Sequence, residues 1–128
     1  MGLTLKAGTY YIGDPSYITK GNDGWVWIEK MWKELYAASD NYIYTSIDDV
    51  EVFVGRTYGG DGVFGEFFVD SGAIAIINVN YLKEDSRFHY RENGIKGTKY
   101  ISLEKDTSLN YDDGLFTLDD ILSINTKF

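Results

Sequence analysis

The sequence predicts an α+β fold, a mostly antiparallel β-sheet of about six or seven strands with one early amphipathic helix packed on it. Three observations carry this. The stretch GWVWIEKMWKELYAAS (24–39) places Trp25, Ile28, Trp32, Leu35 and Tyr36 at helical spacing. Residues 73–79 are nearly continuous apolar sequence, the mark of a central strand buried on both faces. After Asn41, short β-forming runs alternate with glycine-rich and Asp-Gly corners, as strands joined by tight turns do. The 128 residues fit one domain, expected over 1–128, and that length can bury a core.

In chain order, the first element is a strand over 9–12 that ends at Gly13. It runs into Gly-Asp-Pro-Ser, a corner that holds the only proline of the chain. Pro15 fixes its own φ and pushes Asp14 toward extended geometry, so a rigid turn or strand end follows. Asp23 then stands as the N-cap of a helix over about 24–38, because its carboxylate can accept from the exposed amides of the first turn. Glu29 precedes Lys33 by four residues, the favourable order for a helical ion pair. Trp25, Ile28, Trp32 and Leu35 form the expected buried side of that helix. Residues 50–54 alternate, 57–64 hold a glycine-rich turn between β-formers, and 67–69 lead to Asp-Ser-Gly before the central strand. Asn93-Gly94 marks a turn, residues 99–104 alternate, and Asp113-Gly114 joins strand candidates 108–111 and 115–118 as a hairpin. A last strand spans 121–126.

The formal net charge of −8 argues against nucleic-acid binding through a phosphate-neutralising surface. The charge is unevenly placed. Residues 40–70 carry seven acids and one base (Arg56), and 104–120 carry six acids and one base (Lys105). Between them, 83–99 carry five bases against three acids and the only histidine, His89. Two readings of such acidity are open: solubility, or a surface that imitates nucleic acid or docks on a basic partner. No apolar run reaches the roughly 20 residues that cross a bilayer, and the N-terminus lacks the apolar core of a signal peptide. No membrane association is expected.

Cysteine is absent, which excludes disulfides, thiolate nucleophiles and cysteine-bound zinc. The single histidine, His89, is open to two readings, a lone acid or base and a surface residue in a polar stretch. GRTYGGDGVFG lies between strands rather than before a helix, so it is a poor phosphate cradle. Carboxylates remain. Asp14, Asp61 and Asp70 each sit at a strand end beside glycine or proline, or close to one. Gathered at one sheet edge, they would bind a hard cation such as Ca²⁺ or Mg²⁺, a small molecule, or act as an acid–base pair. Tyr11, Tyr17, Arg56 and Tyr58 would line such a place. The plainer reading has each aspartate bonding its own turn backbone. No cofactor and no dedicated metal site are expected.

Four stretches, GTYYIGDPSY (8–17), GGDGVF (59–64), FVDSGAIAI (68–76) and DDGLFTLDDILSINT (112–126), occur in an order that resembles a family of small, mostly uncharacterised proteins of bacteriophages and other bacterial mobile elements. Position 16 is serine where many relatives carry cysteine, which argues against a thiol-based mechanism. The resemblance implies a phage or prophage origin, action in the cytoplasm of a bacterial host, and a β-rich domain. By analogy with other small acidic phage proteins, the expected function is non-catalytic binding, and inhibition, of a host or defence protein. The expected contact residues are Asp14, Tyr17, Arg56, Tyr58, Asp61 and Asp70. The alternatives are the small-molecule or metal site on the three aspartates, and a phage structural or assembly role using sheet edges in a homo-oligomer.

Overall fold

The computed structural model describes residues 2–15, 24–47, 49–64, 67–69, 72–81 and 98–126. Eleven strands and one α-helix lie among them: β1 (Gly2–Leu5), β2 (Gly8–Gly13), α1 (Gly24–Ala37), β3 (Tyr42–Ile47), β4 (Val50–Arg56), β5 (Gly62–Phe64), β6 (Phe67–Val69), β7 (Ala73–Asn78), β8 (Thr98–Leu103), β9 (Thr107–Asp112), β10 (Leu115–Leu118) and β11 (Leu122–Asn125). The mostly antiparallel, α+β class is as expected. The number of strands is not six or seven, and they form separate sheets.

The five-stranded sheet has the order β3-β4-β7-β2-β8 and the four-stranded sheet the order β1-β9-β10-β11. All pairings are antiparallel. β5 and β6 make a separate two-stranded hairpin. Successive strand residues point to opposite faces, so the five-stranded sheet has two faces to cover. On one, Tyr11, Val52, Val54, Ala73, Ala75 and Ile77 meet Met31 and Leu35 of α1. On the other, Tyr10, Ile12, Phe53, Ile74, Ile76, Ile101 and Leu103 meet Leu5, Leu109, Tyr111, Phe116, Leu118 and Ile124 of the second sheet. The layers are therefore helix, sheet, sheet.

This layering explains the apolar run. β7 is central, flanked by β4 and β2 and covered on both faces, and all residues from Ala73 to Ile77 are buried. β9, covered on one face only, alternates strictly between buried and exposed. The additional strands β1 and β3 are not among the runs read from sequence. β1 is four residues with one glycine, too short for a period to show. β3 carries three aromatic or β-branched side chains that are only partly buried, because it is an edge strand.

α1 runs one residue short of the expected end. Ala38 N–H donates back to the Leu35 carbonyl at 3.2 Å, the tightened last turn common at helix ends. Among its described side chains, Met31 and Leu35, four apart, are the wholly buried ones. Trp32 is half-buried and stacks on Tyr36 with ring centroids 5.1 Å apart. Asp23 and the side chains of Trp25 and Ile28 lie outside the described residues, as do His89 and the Asn93-Gly94 turn.

The Asp-Gly hairpin is present. β9 and β10 pair with Asp112 opposite Leu115, and Asp113 (φ 45°) and Gly114 (φ 100°) both take positive φ. A two-residue turn of this hand matches the twist of the strands it joins.

Candidate functional site: a polar and aromatic cleft at one end of the sandwich

Strand register decides what meets at the sheet ends. Arg56, the last residue of β4, pairs with Ala73, the first of β7, and Gly13, the last of β2, pairs with Ala75. The C-terminal ends of β2 and β4 thus share one edge of the five-stranded sheet. The β9–β10 turn arrives at the same edge from the other sheet, because the Tyr111 hydroxyl donates to the Arg56 carbonyl at 2.6 Å.

The loop after β4 is held from several sides. Thr57 N–H donates to the Gly72 carbonyl at 3.0 Å, and the Thr57 hydroxyl donates to the Gly60 carbonyl. Tyr58 N–H donates to Thr126 Oγ1 at 2.9 Å, while that hydroxyl donates to the Gly114 carbonyl at 2.5 Å. Thr126 is fully buried, so one threonine ties the Tyr58 loop to the Asp113-Gly114 turn. On the other side, Arg56 N–H donates to the Asn41 carbonyl at 2.9 Å, and the Arg56 guanidinium lies over the Tyr36 ring, 5.4 Å from its centroid.

These ties surround a cleft of 250 Å³ lined by Asn41, Arg56, Thr57, Tyr58, Tyr111 and Asp113. Tyr58 is 60% exposed and Tyr36 65%, which takes both rings out of the core and onto the surface. Asp40, Asp61, Asp112 and Asp113 are exposed too. Acids from both acidic blocks of the sequence therefore stand at this end, as does Arg56. At the opposite end of β9 two acids are engaged locally. Asp106 accepts from Ala7 N–H at 3.0 Å and pairs with Lys6 at 3.6 Å, and Asp119 accepts from Ser108 N–H at 3.3 Å. A smaller cavity of 130 Å³ there is lined by Leu5, Tyr10, Tyr44, Ile76 and Asn78, together with Lys6 and Glu51 of opposite charge.

The titration of Tyr111 is shifted by its place in the fold. Burial first, and the nearby Asp113 carboxylate second, push its phenol up from the usual 10.0 to about 12. The folded value lies above the unfolded one, so the stabilisation is complete below about pH 10 and is lost as pH rises toward about 12. Tyr111→Phe is expected to cost about 0.5–1.5 kcal/mol near neutrality, since the Arg56 carbonyl loses its donor. The gap between wild type and variant should close between about pH 10 and 12 in urea unfolding. A gap that stays constant across that range would refute the titration.

Of the residues expected at a site, Arg56, Tyr58 and Asp61 come together at this exposed end. Asp61 is placed there by its loop, its Oδ1 lying 3.8 Å from where a Cβ on Gly72 would stand. Asp14 shares the sheet edge but is fully buried, and the Tyr11 hydroxyl donates to its carbonyl oxygen at 2.7 Å. It presents no surface to a partner. Tyr17 and Asp70 lie outside the described residues. Among the described residues no group of three or more His, Asp or Glu side chains is arranged to hold a metal ion. Tyr36, Asn41, Tyr111 and Asp113 are additions. Helical spacing puts Tyr36 in the apolar stripe, and only the Asp-Gly turn signal pointed toward Asp113.

Compared with family models, with curated proteins and with solved structures, the chain shows no match.

Proposed function

We propose that the protein is a non-catalytic binding protein whose target is a host or defence protein of a bacterial cell, and that it docks through the cleft end of the sandwich. The observation that carries this reading is the exposure of Tyr58 at the cleft and of Tyr36, which carries the cleft-lining Arg56. Tyrosine, tryptophan and arginine dominate the residues that supply binding energy at protein interfaces. The phage origin and cytoplasmic setting rest on the sequence resemblance, and inhibition follows where the occupied surface of the target is a working one.

The test is retention from a bacterial lysate on immobilised wild-type protein, compared with Tyr58→Ala and Tyr36→Ala. Both side chains are largely exposed, so the fold should survive their removal, and circular dichroism checks it. A specific partner should be held by wild type and weakened about tenfold or more by Tyr58→Ala, the loss of roughly 1.4 kcal/mol or more that a central aromatic anchor carries. A partner held equally by all three proteins would rule out this face.

A further inference from the structure

We propose that the partner segment seated on this face is basic, and that one of its arginine or lysine side chains enters the cleft between Tyr58 and Asp113. This rests on the docking reading above and adds the chemistry of what docks. Size comes first. At 250 Å³ the cleft falls below the roughly 300–1,000 Å³ of pockets that enclose a drug-sized molecule, and it suits a single side chain.

Charge comes next. Neither Asp61 nor Asp113 has a salt-bridge partner among the described residues, and both are exposed. Among the described residues Arg56 is the one cation lining the cleft, and its guanidinium is already seated on Tyr36. That seat shows what the surface accommodates: a planar cation over a tyrosine face, attracted by the ring quadrupole. Tyr58 also lines the cleft, and its ring makes no stacking or cation contact among the described residues. It offers a second seat of the same kind, next to carboxylates that lack a counter-charge. An anionic or purely apolar segment would meet these carboxylates without compensation. At the far end of the sandwich Asp106 and Asp119 are bonded to turn amides, and the exposed Tyr44 ring there is tied to Glu51 through its hydroxyl.

The experiment is fluorescence anisotropy with a labelled peptide alternating arginine and serine, and with its glutamate counterpart. It is run on wild type and on two variants that each remove two charges: Asp61→Asn with Asp113→Asn at the cleft, and Glu104→Gln with Asp120→Asn at the far end. Asparagine tolerates the positive φ of position 113, so the turn is kept. The arginine peptide should bind wild type, weaken as salt rises, lose about tenfold with the cleft pair and less than about twofold with the far pair. Equal losses from both pairs would overturn the inference, because binding would then follow net charge alone. No binding of the arginine peptide, or equal binding of the glutamate peptide, would overturn it as well. If a lysate partner is meanwhile retained by wild type and lost with Tyr58→Ala, the docking reading stands while its basic chemistry falls.

Discussion

Gly114→Ala should destabilise the protein by about 3 kcal/mol or more, one of the two largest single effects expected here. Two independent costs add. Gly114 sits at φ 100°, where an L side chain is strained. An added Cβ would also stand 2.6 Å from Thr126 Oγ1, 2.8 Å from Tyr58 Cβ and 2.9 Å from Tyr58 N. Two of those three atoms belong to the main chain or its first side-chain carbon and cannot swing aside. The third belongs to the buried threonine that joins the Tyr58 loop to the turn. Relief therefore requires the loop and the hairpin to part, which also opens the cleft. Denaturant unfolding measures the loss. Gly60→Ala is the control, since it has a positive φ of 76° but nothing within 4 Å of its added Cβ. It should show the strain alone, about 1–2 kcal/mol. Equal losses at the two positions would mean that the close approach at Gly114 contributes nothing.

Phe116→Ala is expected to cost about 3–5 kcal/mol. Phe116 is 2% exposed and lies where the two sheets face each other. Its ring meets Tyr111 at 5.0 Å and Phe53 at 6.3 Å between centroids, both edge to face, so truncation removes apolar burial and two aromatic contacts together. The backbone of Gly55 comes so close that a Cβ there would lie 2.7 Å from Phe116 and 2.8 Å from Tyr111. Glycine at 55 is what lets the four-stranded sheet settle on β4, and the space vacated by Phe116 would be lined by rigid neighbours that collapse poorly. On the solvent face of the same sheet, Ser123→Ala should change stability by no more than about 0.5 kcal/mol. A loss below about 1 kcal/mol for Phe116→Ala would place the core elsewhere.

The elements legible in the sequence are those whose signal is local. The 24–39 stretch has helical spacing over enough residues to be measured, and β7 announces its two covered faces by having no polar residue before Asn78. Asp113-Gly114 demands positive φ twice, which few residue pairs tolerate. The division into two sheets was not legible. Alternation in β9 says that Leu109 and Tyr111 face inward, yet nothing local says that they face Phe53 and Ile74. β5 and β6 have three residues each, fewer than a period needs to show itself. The site divides in the same way. Arg56, Tyr58 and Asp61 are neighbours in the chain, so their grouping could be read directly. Asp113 joins them only because the second sheet lies across β4. For Asp14 the sequence leaves two readings open, a carboxylate offered at a sheet end and one bonding its own turn, and its complete burial depends on packing that no local signal shows. Tyr36 erred in the opposite sense. It sits one residue after buried Leu35, near the helix end, and carries the Arg56 guanidinium at the surface.

The central claim is that the cleft end of the sandwich is the docking surface, and hydrogen exchange on the protein bound to its captured partner tests it most directly. Loops exchange quickly when exposed and slow down when covered, so each end of the sandwich reports separately. Docking at the cleft should slow exchange across 57–62 and 112–115, with little change at 104–108 and 119–121. Protection confined to that far end, or to the solvent side of α1, would contradict the account.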